Sequence, residues 1–144
     1  MKETIYLGAD HAGYDATEAI KEYLQSAGHE IVDMGNDHQV PDDDYPDFGY
    51  AVAKRVTTDP NSRGIVACGN AQGICIVANK VRGIRCALCW DTTTARLARQ
   101  HNDANVVSLG ERVIGLETAK DIVRVFLTTN FDGGRHQIRI DKIE

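Results

Sequence analysis

Hydrophobic and polar positions along this chain switch repeatedly between two periods. Thr4 to Ala9 is a short β-rich run. From about Asp15 the apolar residues Ala16, Ala19, Ile20, Tyr23, Leu24 and Ala27 keep helical spacing, and Gly28 ends the helix. His29 to Met34 reads as a second strand, and Gly35 to Asp47 as a loop rich in Asp and Pro. Loops of that length inside a compact domain are usually functional or mobile. Phe48, Ala51, Val52 and Val56 then repeat at helical spacing as far as Thr57 to Ser62. Ile65 to Ala67 is a continuous apolar run, the pattern of a strand buried on both faces. It breaks at Cys68-Gly69-Asn70-Ala71-Gln72-Gly73 and resumes as an apolar segment able to wind as a helix.

Gly83 to Trp90 predicts the fourth strand, and Asp91 is placed to cap a helix from Thr92 to about His101. Asn105 to Leu109 predicts the fifth strand, and Leu116 to Thr129 carries Ala119, Ile122, Val123 and Phe126 at helical spacing. A short basic segment, Arg135 to Arg139, follows Gly133-Gly134 and predicts the start of a terminal helix. Strands alternating with helices imply right-handed crossovers. The expected fold is therefore α/β: a single Rossmann-like α/β/α sandwich of three layers with a five-stranded parallel sheet, residues 1–144 forming one domain.

Such a sheet gathers ligands outside the carboxyl ends of its strands. Asp10 and His11, Tyr45, Cys68 with its loop, and Arg112 all fall there. A strand, a glycine-containing turn and a helix make backbone N–H groups converge on an anion. A nucleophile or base beside such donors is a site for forming and holding an oxyanion. Taken singly, each feature has a plainer explanation: glycine turns allow tight packing, and buried cysteines are mostly inert. Their arrival at one edge of one sheet favours a site.

Composition narrows the classes. The 144 residues suffice for a core, with 42% hydrophobic and 26% charged residues, an ordinary globular balance. No run of about 18 apolar residues occurs, so no membrane span is expected. Met1-Lys2-Glu3-Thr4 leads into the first strand without an apolar signal region, which predicts a cytoplasmic protein. The net charge of −5 and the absence of a basic block argue against nucleic acid as a partner. Of the four cysteines, Cys86 and Cys89 have the Cys-x-x-Cys spacing of zinc and redox sites. Residues three apart on a strand face opposite sides, so this pair is expected not to chelate.

Several motifs together resemble the ribose-5-phosphate isomerase B family, which includes the galactose-6-phosphate isomerase subunits. They are Gly8 to Gly13, Asp44-Tyr45-Pro46, Cys68-Gly69, Gly73-Ile74, Ala78 to Lys80, Gly83 to Arg85, Arg99 to Asn105, Gly110 to Gly115 and Gly133 to Arg139. The resemblance spans essentially the whole chain. It implies an aldose–ketose isomerase acting on a sugar phosphate, first of all ribose 5-phosphate. By that resemblance Cys68 is the base, Asp10 and His101 assist ring opening, and Asn102 binds substrate. The backbone of Gly69 to Gly73 holds the enediolate oxygen; His11, Arg112, Arg135 and Arg139 grip the phosphate; Tyr45 lines the pocket. The family works without a metal or other cofactor, as homodimers or dimers of dimers.

The residue types suit that chemistry. Carbonyl migration needs a base poised near neutral pH, and a thiol becomes one when cationic or helix N-terminal groups stabilise its thiolate. Arg135 and Arg139, four apart, share a face if helical. By themselves they read as a solvated basic terminus. His101 closes the helix before the fifth strand, so it should lie at the edge opposite to Cys68 and serve a partner chain's site. That predicts composite active sites.

The chain departs from the family at the loop, where Asn70 replaces a hydroxyl residue and Ala71 a glycine. Alanine resists positive φ at about 1–2 kcal/mol, which predicts an altered loop path. Ile74 stands where some relatives carry a glutamate base, leaving Cys68 as the candidate. Two alternatives remain: a relative retuned to another sugar or hexose phosphate, of the allose or galactose 6-phosphate type, and a non-catalytic sugar-phosphate-binding subunit.

Overall fold

The computed structural model describes residues 2–144; Met1, with which the expected domain begins, lies outside them. Five strands form one parallel sheet in the order β2-β1-β3-β5-β4. They are β1 (Thr4–Ala9), β2 (Glu30–Asp33), β3 (Ser62–Cys68), β4 (Cys86–Leu88) and β5 (Val106–Gly110). Between them run α1 (Tyr14–Ser26), α2 (Tyr45–Thr58), α3 (Gln72–Asn79) and α4 (Thr92–Asn102), followed by α5 (Leu116–Thr128) and α6 (Arg135–Ile140).

The strands separate two cores because successive side chains point to opposite faces. Ile5, Leu7, Ile65, Ala67, Val107 and Leu109 pack with Ile20 and Leu24 of α1, Ala95 of α4, and Ile122, Val123 and Phe126 of α5. Tyr6, Val66, Cys68 and Val106 pack on the other face with Phe48, Val52 and Val56 of α2 and Ile74 and Ala78 of α3. The central strands are thus apolar on both sides. Each large side chain so buried contributes about 1.5–3 kcal/mol of transfer free energy.

Register is what places the site. Ala9 pairs with Ala67, so the next residues, Asp10 and Cys68, leave adjacent strand ends. Cys68 in turn pairs with Gly110, bringing Glu111 and Arg112 alongside. From β1 the chain turns first to one side for β2 and then to the other for β3, which makes this edge the sheet's switch point.

Three expectations need adjusting. The fourth strand is only Cys86–Leu88, because the sheet edge offers one neighbour and Asn105 takes over the pairing of Arg85 from both sides. The segment after β2 is shorter than expected, since α2 begins at Tyr45 with Pro46 in its first turn. Proline is compatible with that position, where its missing N–H has no intrahelical partner to lose. Ala71 adopts φ +70°, so the loop enters α3 in the left-handed conformation in spite of its side chain.

The Cys-x-x-Cys pair divides as expected. Cys86 packs against the α2 and α3 core and Cys89 belongs to the other.

Candidate active site

At the carboxyl edge a cavity of about 390 Å³ is lined by Asp10, His11, Tyr45, Cys68, Gly69, Asn70, Gln72, Gly73 and Arg112, among others. Eight of the residues expected to form a site are therefore together: these nine without Gln72.

Asp10 is 6% exposed, and its Oδ1 accepts from the N–H groups of Ala12 at 3.0 Å and Gly13 at 3.2 Å. Gly13 is obligatory for this turn: a Cβ there would lie 2.6 Å from the backbone of Ala67 at the end of β3. Burial, foremost, lifts the Asp10 carboxyl above its usual range, while those N–H bonds and the nearby His11 hold the rise back. A carboxyl so buried keeps its proton to higher pH than a surface one. His11 is tied to Asp43, with Nδ1 at 2.9 Å from Asp43 Oδ1. That bond, foremost, raises the imidazole above its ordinary range, with the charge of Asp10 adding to it.

Cys68 ends β3 with its thiol on the α2 and α3 face, 4% exposed and free of any disulfide. The loop after it is fixed from three directions. Arg112 N–H donates to Gly69 O at 2.9 Å, and Glu111 N–H to Cys68 O at 3.0 Å. Ser108 Oγ donates to Ala71 O at 2.7 Å in a fully buried bond. Asn70 Oδ1 accepts the Gln72 N–H at 3.1 Å, so the amide closes one of the donors the first turn of α3 offers. Helix geometry leaves those of Gly73 and Ile74 without intrahelical partners. The Tyr45 ring lies over Gly73, where a Cβ would come 2.5 Å from Tyr45 Cζ, and Arg112 lies over Gly69.

His101, Asn102, Arg135 and Arg139 are elsewhere. His101 and Asn102 occupy the last turn of α4 and line a separate cavity of about 650 Å³ together with Arg85, Trp90 and Ile143. The His101 ring stacks on that of His136 in α6, with centroids 4.4 Å apart and planes 13° apart. Arg135 and Arg139 stand on the same short helix and are exposed. The chain thus carries two clusters, one at each edge of the sheet.

Two groups bring metal-binding side chains within 4.8 Å of one another, Asp10 with His11 and Asp43, and His101 with Asp132 and His136. In the first, Asp10 Oδ1 and Asp43 Oδ1 accept from N–H donors. In the second, the two rings are stacked nearly parallel, and Arg135 and Arg139 stand on the same helix as His136.

Sequence reasoning passed over Ser108, Gln72, Asp43 and Glu111. Glu111 Oε1 accepts the Ala16 N–H at 2.6 Å, and burial raises its carboxyl. Gln72 and Glu111 stand inside motifs already noted, and Asp43 in the acidic run Asp42-Asp43-Asp44 of the long loop, whereas Ser108 gave no signal beyond its place in the fifth strand.

A parallel Rossmann-like sheet that gathers a thiol, a buried carboxyl and the N-terminus of a helix at its switch point places the chain in the class of α/β proteins that bind ligands at this edge. Within that class, the chain belongs to the Ribose/Galactose Isomerase family, which it matches over residues 5–143. It is 49% identical to the ribose-5-phosphate isomerase B of Mycobacterium tuberculosis over 138 residues, 95% of this chain and 85% of that protein. Among solved structures, that of Clostridium thermocellum ribose-5-phosphate isomerase B superposes with a TM-score of 0.94 at 48% identity, covering 97% of this chain and 94% of the other. The enzyme of Mycoplasma genitalium, solved with bound ribulose 5-phosphate, superposes with a TM-score of 0.96 at 42% identity, covering 99% and 95%.

Proposed function

We propose that this chain is an aldose–ketose isomerase that interconverts ribose 5-phosphate and ribulose 5-phosphate through Cys68. The observation that carries the reading is the adjacency of Cys68 and Asp10 at the ends of paired strands, inside one cavity with Arg112 and the turn into α3. The family membership and the ribulose 5-phosphate held by the Mycoplasma genitalium enzyme support it.

In this reading Asp10 and His101 move the protons that open the sugar ring. The Cys68 thiolate then takes the proton from C2 of the open aldose. The electron pair passes into a C1–C2 double bond and the carbonyl oxygen at C1 becomes an enediolate oxygen held by the backbone of Gly69 to Gly73. A proton passes from the C2 hydroxyl to the C1 oxygen, and returning the carbon-bound proton to C1 then leaves the carbonyl at C2, which is the ketose. Each donor on such an oxyanion is worth roughly 2.7–4 kcal/mol. The phosphate is gripped by His11, Arg112, Arg135 and Arg139, Asn102 binds the sugar, and Tyr45 closes one wall. The two clusters become one site when a second copy of the chain brings its His101 cluster to the Cys68 cavity. The protein then acts in the cytoplasm as a homodimer, or a dimer of dimers, of single-domain chains. Nucleic acid and membrane have no part in this function; among the described residues no helix is long and apolar enough to span a bilayer. Cys68, Asp10 and His101 in one chain argue against a non-catalytic subunit.

The test is a panel of pentose and hexose phosphates assayed for aldose–ketose conversion with wild type and Cys68→Ala. Ribose 5-phosphate should lead the panel, and loss of the base should cost about 10²–10⁴-fold in rate with phosphate binding nearly intact. No conversion of any pentose phosphate, or a Cys68→Ala enzyme as fast as wild type, would overturn it.

A further inference from the structure

One carboxylate ties the segment between β2 and α2 to the turn that follows β1. Asp43 Oδ1 accepts both the backbone N–H of His11 at 2.7 Å and a hydrogen bond with His11 Nδ1 at 2.9 Å, while Oδ2 accepts from Asn36 Nδ2 at 3.0 Å. The Asp43 side chain is 11% exposed and that of His11 33%, so this pair is shielded on the Asp43 side and open on the other. Gln39 closes the same loop by donating to His11 O at 2.7 Å. Asp43 also stands two residues before Tyr45, where α2 begins.

We infer that Asp43 is a positioning residue for His11: it fixes the ring's tautomer and orientation, supplies the countercharge of the imidazolium, and so makes Nε2 a donor to the substrate's phosphate. The part that concerns the phosphate rests on the function proposed above. With Nδ1–H committed to Asp43, Nε2 is an acceptor when the ring is neutral and a donor only when it is charged. A phosphate dianion needs the donor. The charged groups facing His11 are Asp43 and Asp10, which favour its charge, while its partial burial opposes it; Arg112, Tyr45 and Cys68 complete the cavity wall. The bond to Asp43 outweighs the others in raising the imidazole. A carboxylate serving only to staple the loop would need the backbone bond to His11 and the one to Asn36, but not the ring.

The experiment is an NMR titration of the His11 ring in wild type and Asp43→Asn, with inorganic phosphate as the probe ligand, alongside ribose 5-phosphate kinetics. In wild type the neutral ring should carry its proton on Nδ1. In Asp43→Asn the His11 midpoint should fall, phosphate should bind about tenfold more weakly with the deficit growing from pH 6 to 8, and KM should rise in parallel while kcat holds within about threefold. Asp43→Glu should recover part of the loss. A wild-type ring protonated on Nε2 would overturn the inference even if Asp43→Asn failed to fold. So would an unmoved midpoint, or a weakening equal at every pH, which is the mark of a loop staple. A protein inert toward ribose 5-phosphate would defeat the function and leave the titration and phosphate binding to decide the role of Asp43.

Discussion

Ala71 is held in a conformation that its own side chain disfavours. Its φ of +70° costs a residue with a Cβ about 1–2 kcal/mol, yet the loop's carbonyl is locked to Ser108 and the methyl is 1% exposed. Ala71→Gly should therefore stabilise the protein by up to about 1 kcal/mol, the strain relieved less the added chain entropy, read as a rise in Tm. A fall in Tm would mean that packing of the methyl outweighs the strain. Combined with Asn70→Thr, which removes the amide now closing the Gln72 N–H, the change should alter the ribose 5-phosphate rate by about tenfold or more, since one oxyanion donor is worth 10²–10³. An unchanged rate and substrate ranking would show that the loop tolerates both departures. Gly73 poses the opposite case. Its added Cβ would meet the far end of Tyr45, a side chain 39% exposed and free to swing aside. Gly73→Ala should lower kcat/KM while leaving Tm within a few degrees; a large loss of stability would contradict a purely local effect.

Elements differ in how openly the sequence announces them. Gly13→Ala is a change at this scale, because its Cβ would strike the backbone of β3 rather than a movable side chain. It should cost about 1–3 kcal/mol or more, measured by denaturant unfolding, and a neutral result would mean that α1 can slide off the strand end. The inner strands β1, β3 and β5 are legible because burial on both faces turns them into continuous apolar runs. The start of α4 is legible because Asp91 and Thr94 make a local capping box, with Thr94 N–H donating to Asp91 Oδ1 at 2.7 Å. The start of α2 is not, since Pro46 reads as a breaker until its first-turn position is known. The edge strand β4 ends early for reasons that lie in β5 and Asn105, remote in sequence. In the site, Asp10, Cys68 and Arg112 stand out by type and place. Ser108 and Asp43 do not, because their importance comes from a partner 37 residues away in one case and 32 in the other.

At the scale of the whole molecule, the two clusters cannot meet within one chain. The α4 helix of 11 residues spans roughly 16 Å from the carboxyl edge of the sheet, and His101 stands in its last turn. Around that cluster Trp90 and Ile143 are 58% and 59% exposed, and Ile138 of α6 is 61% exposed, apolar surface that a second copy of the chain would cover. The proposed function requires a site built from Cys68 of one copy and His101 of the other. Its most direct test is to mix inactive Cys68→Ala with inactive His101→Ala protein under conditions that allow subunit exchange. In a mixed dimer one of the two sites receives both intact residues, so an equal mixture should regain about a quarter of wild-type activity. A mixture no more active than the sum of its parents, with exchange confirmed, would contradict the composite site.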